Sequence, residues 1–221
     1  MSCFITLEGI EGCGKTTQLQ LLARCLADDG HRVTVTREPG GCPIADQIRN
    51  ILLSADNREM KPLTELLLYA AARAQHVREV VAPALEGGGI VLCDRFTDAT
   101  VAYQGYGRKL DLDVIDQLNR LATGGVRPDL TLLLDCPAET GLQRAISRIN
   151  STDGPREERF ELESLRFHQR VRDGYLALAR REPARFVIID AAGGIDEIAA
   201  AIAAAVHQRI GKLQKCEGEG S

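Results

Sequence analysis

A three-layer α/β fold, a five-stranded parallel sheet covered by helices on both faces, is what this chain predicts. Two observations lead there. Short, continuous apolar runs of strand length recur along the chain without polar alternation, as strands buried on both faces do. Between them lie longer segments with apolar residues at helical spacing, so strand and helix alternate in the order that builds parallel sheets. The length of 221 residues suits one such domain.

The elements follow in order. Phe4-Ile5-Thr6-Leu7 is the first buried strand and runs into a glycine-rich turn. Leu19, Leu22, Ala23 and Leu26 stand at i, i+3, i+4 and i+7, the stripe of an amphipathic helix. Arg32 to Thr36 is a second strand, and Ile44, Ile48, Ile51 and Leu52 form another helical stripe. A long helix is expected from Thr64 to Leu85, ending at Gly87-Gly88-Gly89. Ile90 to Cys93 and Leu130 to Leu134 are the third and fourth strands. Helices are expected over Ala138 to Ile149 and Glu158 to Arg181, then a fifth strand at Phe186 to Ile189 and an Ala-rich helix from Ile195 to Ile210. The polar break Asn150 to Pro155 is the candidate mobile loop. The domain is expected to occupy residues 1–211, with 212–221 a disordered tail.

Composition excludes several classes. Hydrophobic residues make up 44% and charged residues 26%, with a formal net charge of -4. Free nucleic acid is not an expected partner, since that binding needs a basic face. No run reaches the ~18 apolar residues of a membrane span. The start of the chain goes straight into a strand-like run, so no signal peptide is expected. The seven cysteines are odd in number and lack CxxC spacing. They read as small apolar residues of a reduced, cytoplasmic protein.

Gly9-Ile10-Glu11-Gly12-Cys13-Gly14-Lys15-Thr16 matches G-x-x-x-x-G-K-[ST] in full, between a strand and a helix, the setting of a P-loop NTPase. Its glycines let backbone N–H groups converge on phosphates, and the helix adds its positive end. Residues 9–16, with Thr17 beside them, are therefore the candidate ATP-binding set. Lys15 can neutralise phosphate charge, and the Thr16 hydroxyl can ligate Mg²⁺. This motif alone leaves kinase, GTPase and motor open. The chain holds no Asn-Lys-x-Asp guanine-reading motif.

Five further segments narrow the class: Thr36-Arg37-Glu38-Pro39-Gly40-Gly41, Leu68-Tyr69-Ala70-Ala71-Ala72-Arg73-Ala74-Gln75, Asp94-Arg95-Phe96, Thr100-Val101-Ala102-Tyr103-Gln104-Gly105, and Arg127-Pro128-Asp129-Leu130 with Asp135 at the end of its strand. In order and spacing they resemble the bacterial thymidylate kinases over nearly the whole chain. The resemblance implies transfer of the γ-phosphate of ATP to dTMP with Mg²⁺, in a homodimer. It places Arg37 on the dTMP phosphate, Tyr69 and Arg73 on thymine, Thr100 and Gln104 beside the base, and Tyr103 against the sugar. Asp94 joins Thr16 at the metal, Arg95 lies between the two phosphates, and Glu11 reaches toward the acceptor nucleotide. Tyr69 and Arg73 share a helix face, although an aromatic at this spacing serves a core equally well. Rival readings are another nucleoside monophosphate kinase and a P-loop ATPase or switch.

The phosphate loop carries no Arg, so charge on the transferring phosphoryl group needs another source. By the same resemblance an arginine-bearing lid, about residues 148–158, supplies it. Arg148 is the first candidate, with Arg156 and Arg159 after it. The same arginines also fit a solvated charged face, since acidic residues interleave with them. Departures from the family pattern are Cys13, Cys42, Ala99 and a longer lid segment.

Overall fold

A computed structural model describes residues 2–150 and 159–218. Strands β1 (Cys3–Glu8), β2 (Val33–Arg37), β3 (Ile90–Asp94), β4 (Leu130–Asp135) and β5 (Phe186–Asp190) form one sheet, ordered β2-β3-β1-β4-β5. Every pairing is parallel. β1 is buried at all its positions. Ile5 and Leu7 face one apolar cluster, and Phe4 faces a second with Val91 and Phe96. Burial on both faces is why the strand sequences do not alternate. The outer strands are wetter: Val35 is 40% exposed and Ile188 50%.

Adjacent strands β1 and β3 send their connections to opposite sides of the sheet. That arrangement opens a crevice at their carboxyl ends, where open α/β sheets take ligands. Register sets what meets there, because Asp94 pairs with Leu7 on one side and Arg37 on the other.

Around the sheet lie α1 (Lys15–Asp28), α2 (Pro43–Leu53), α3 (Pro62–His76), α4 (Ala82–Glu86), α5 (Thr97–Thr100), α6 (Leu112–Thr123), α7 (Ala138–Asn150), α8 (Leu165–Arg181) and α9 (Ile195–Gly218). The long helix expected from Thr64 is present as α3, a π-helical turn over Val77–Val81, and α4. The helix expected from Glu158 starts later, at Leu165, where Ser164 Oγ accepts from Phe167 N at 3.3 Å and caps it. A π-helical stretch, Val101–Gly107, and α6 lie between β3 and β4, where the sequence reading placed no element. α6 carries clear end signals, an Asp111 cap and Gly124 in the left-handed conformation at φ 60°. The final helix passes the expected end at Ile210 and runs to Gly218, so most of the expected tail is helical. No helix among the described residues is long and apolar enough to cross a membrane.

Candidate active site

The turn after β1 curls through three glycines with positive φ: Gly9 at 139°, Gly12 at 70° and Gly14 at 91°. Gly12 is required twice over. A Cβ there would lie 2.0 Å from the carbonyl oxygen of Gly141 on α7. One on Gly141 would lie 2.5 Å from Glu11 O. Loop and helix meet backbone to backbone, so α7 forms a rigid wall behind the phosphate loop. Lys15, at the start of α1, folds over the loop. Its Nζ donates to Gly9 O at 3.0 Å and Ile10 O at 2.7 Å, with Cys13 Sγ at 3.4 Å.

Thr16 Oγ1 donates to Asp94 Oδ2 at 3.2 Å. A hydroxyl and a carboxylate oxygen side by side suit Mg²⁺, which takes few protein ligands and completes its shell with water and phosphate. Arg95 follows directly and stands at φ 71°, the left-handed region that a non-glycine residue adopts at a cost. Its N–H bonds Leu7 O at 3.0 Å and its carbonyl accepts from Cys93 Sγ, also at 3.0 Å. The guanidinium thereby turns inward, donating to Gly9 O at 2.9 Å, Tyr175 Oη at 3.2 Å and Glu11 Oε1 at 3.2 Å. It also lies 4.9 Å from the centre of the Tyr103 ring.

Glu11 is the anionic hub of this region. Its Oε1 also accepts from Tyr103 Oη at 2.5 Å, and its Oε2 faces His168 Nδ1 at 3.2 Å. Burial alone would push the carboxyl up, but His168, Arg95 and Lys15 hold it well below the usual carboxylate range. Beneath it, Glu8 accepts from Phe96 N at 2.7 Å and Tyr175 Oη at 2.8 Å. Burial, with Asp98 adding to it, pushes Glu8 up to about 8.

A second buried network forms the far wall. Arg73 is 1% exposed. Its Nε donates to Glu38 Oε2 at 2.7 Å, Nη1 to Thr100 Oγ1 at 3.0 Å and Asn119 Oδ1 at 2.8 Å, and Nη2 to Phe96 O at 3.0 Å. These bonds leave one Nη2–H over. Glu38 Oε1 meets His76 Nδ1 at 2.9 Å, and His76 Nε2 meets Thr36 Oγ1 at 2.7 Å. Tyr69, one turn before Arg73, has its ring 6.5 Å from Phe160. Gln104 turns its amide away from the centre, onto Glu65 Oε1 at 2.8 Å. Arg37, on the rim, donates to Asp46 Oδ1 at 3.3 Å.

The structure gathers most of the expected residues into one cleft of about 980 Å³. Glu11, Gly12 and Lys15 to Thr17 line one end, with Asp94 and Arg95 between. Arg37, Tyr69, Arg73, Thr100, Tyr103 and Gln104 line the other. It does not bring Arg159 to the phosphate loop. That side chain is 5% exposed and pairs with Glu65 Oε2 at 2.5 Å. It also bonds Leu52 O and lies 4.6 Å from the Phe160 ring centre. Arg159 thus sits against Leu52, Glu65 and Phe160, with Nε and Nη1 bonded and Nη2 buried without a hydrogen-bond partner among the described residues. The side chain of Arg148 and all of Arg156, with the break at 151–158, lie outside the described residues. Sequence reasoning missed Glu38, His76, Asn119, His168 and Tyr175. Only Glu38, inside the Thr-Arg-Glu-Pro-Gly-Gly segment, carried a local signal.

The chain is similar to known proteins over nearly its whole length. The thymidylate kinase family model matches residues 7–202. A thymidylate kinase of Geotalea uraniireducens (strain Rf4) is 68% identical over 210 residues, covering 95% of this chain and 99% of the relative. One of Geobacter sulfurreducens (strain ATCC 51573 / DSM 12127 / PCA) is 63% identical with the same coverage. The crystal structure of thymidylate kinase from Ehrlichia chaffeensis superposes with a TM-score of 0.75 at 34% identity, over 93% of this chain and 98% of that one.

Proposed function

The chain belongs to the thymidylate kinase family and transfers the γ-phosphate of ATP to dTMP, and on that premise we propose how its residues divide the work. One observation carries the proposal: Arg95 touches both the phosphate loop, at Gly9 O, and the acceptor wall, at Tyr103. A single guanidinium spans the place where the two phosphates must meet.

The loop 9–16 holds the ATP phosphates, with Lys15 turning from its own loop carbonyls to theirs. Thr16 and Asp94 hold Mg²⁺, which when bound offsets phosphate charge. dTMP enters at the other end. Arg37 takes its phosphate, Tyr69 stacks on the base and the remaining Nη2–H of Arg73 donates to a base carbonyl. Tyr103 faces the sugar, its hydroxyl engaged by Glu11. Arg95 neutralises the charge shared by the attacking and transferring groups, while Arg148 or Arg156 supplies a second cation from the lid. No covalent enzyme intermediate is needed, since positioning and charge neutralisation suffice.

A homodimer is part of the same reading. Leu63 and Leu67 on α3 and Leu121 on α6 are 55%, 49% and 79% exposed, and these two helices pack side by side. A cytoplasmic setting fits an ATP-dependent enzyme whose described cysteines are free thiols.

The deciding experiment is ADP release measured against a panel of nucleoside monophosphates. Turnover should require an acceptor and be fastest with dTMP. Equal ADP release without any acceptor, or preference for dCMP or dGMP, overturns the reading.

A further inference from the structure

We propose that His168 is a positioning residue: acting through the Glu11 carboxylate, it fixes Arg95 at the point of phosphoryl transfer. The inference rests on the roles of Arg95 and Glu11 given above and adds a residue from a different element, α8.

His168 is 1% exposed, and its ring stands edge-on to Phe167 with centroids 5.6 Å apart. Its Nδ1 lies 3.2 Å from Glu11 Oε2. The other carboxylate oxygen, Oε1, is already shared by Tyr103 Oη at 2.5 Å and Arg95 Nη2 at 3.2 Å. Glu11 therefore divides its oxygens, one toward the reacting groups and one toward His168. Oε2 is buried and makes no aligned hydrogen bond among the described residues, and the polar contact it has is His168 Nδ1 at 3.2 Å. Deprived of it, Oε2 would turn toward the remaining donors, Tyr103 and Arg95, and draw both off their present geometry.

The second argument is where His168 stands. Tyr175, two helical turns further along the same face of α8, donates to Glu8 and accepts from Arg95. α8 thus holds Arg95 directly through Tyr175 and indirectly through His168 and Glu11. The helix begins two residues after Glu163, which pairs with Arg108, and Arg108 in turn pairs with Glu65. Its seating is tied to the acceptor wall.

The test uses the full-length enzyme with ATP and dTMP. His168→Phe keeps the ring against Phe167 and removes the donor, while His168→Asn returns an N–H donor near the Nδ1 position. His168→Phe should lower kcat about 10-fold, the scale of leaving a buried carboxylate oxygen without its polar neighbour, with ATP KM within about twofold. His168→Asn should recover most of that loss. In a double-mutant cycle, His168→Phe should add little to the loss already caused by Glu11→Gln. Fully multiplicative losses, or a normal kcat in His168→Phe, overturn the inference. Arg95→Lys in the same assay separates the two levels. If it loses activity while His168→Phe does not, only the role of His168 falls. If Arg95→Lys keeps full activity, the reading of Arg95 falls and the inference with it.

Discussion

Single buried charges decide much of this site, and two of them make separable predictions. Arg73, proposed above as the base contact, is the partner of Glu38, which is 4% exposed. Arg73→Ala should raise the dTMP KM, leave the ATP KM nearly unchanged, and cost about 3–5 kcal/mol of stability by stranding that carboxylate. Adding Glu38→Gln should return part of the stability in thermal melts and none of the KM. If the KM recovers too, Arg73 touches no substrate. Glu8 makes a prediction in pH. Its carboxyl is pushed up to about 8 from an ordinary value of 4.5, so the folded chain keeps a proton that the unfolded chain releases. Its contribution is full below about 4.5 and is lost as pH rises through about 8. Melting temperatures of the parent and Glu8→Gln, compared from pH 5 to 9, should shift in favour of the variant as pH rises. A flat difference would show that Glu8 is ionised throughout. The phosphate loop was legible at this scale because its chemistry is local: eight consecutive residues state the whole requirement. The pairing of Arg159 was not legible because its partner, Glu65, is 94 residues away, and spacing near the polar break carries no trace of it.

At the scale of elements, the close backbone contact between the phosphate loop and α7 makes a prediction about ATP affinity. Gly141→Ala would set a Cβ 2.5 Å from Glu11 O and 2.8 Å from Ile10 Cδ1. The overpacking should cost about 1–3 kcal/mol and raise the ATP KM well above any change in the dTMP KM. Equal changes in both would show that α7 does not shape the donor end selectively. The lid segment yields to single Ala substitutions at 148, 156 and 159, each assayed for kcat, ATP affinity and melting temperature. Arg148→Ala or Arg156→Ala should lower kcat, toward the roughly 10³–10⁵ range of an arginine finger, with ATP binding retained. Arg159→Ala should act chiefly on melting temperature, because it leaves Glu65 short of a cation. If neither Arg148 nor Arg156 affects kcat, Arg95 carries the neutralisation alone. α6 was readable in principle, since Leu112, Ile115 and Ala122 give it an apolar stripe and Asp111 and Gly124 punctuate it.

For the whole molecule, the exposed apolar residues on α3 and α6 call for a cover. Light scattering should find two chains per particle, and Leu67→Asp with Leu121→Asp should reduce this to one without unfolding the chain. A parent protein that is monomeric at micromolar concentration would refute the dimer. Loss of the dimer should lower thermal stability even where kcat persists, because mass action links assembly to folding.

What the sequence determined by itself is the alternation of buried strands with helices, the phosphate loop and the order of the family's motifs. These depend on periodicity and on residues adjacent in the chain, so they can be read before any folding. What the tertiary structure decided is which charges meet. Strand order put Asp94 between Arg37 and the end of β1. Packing of α8 brought His168 to Glu11 and Tyr175 to Glu8 and Arg95, and the approach of α3 and α6 to β2 and β3 enclosed Arg73 with Glu38 and Asn119. A buried charge is stable only with its partners, and no local pattern records partners that arrive from elements far along the chain.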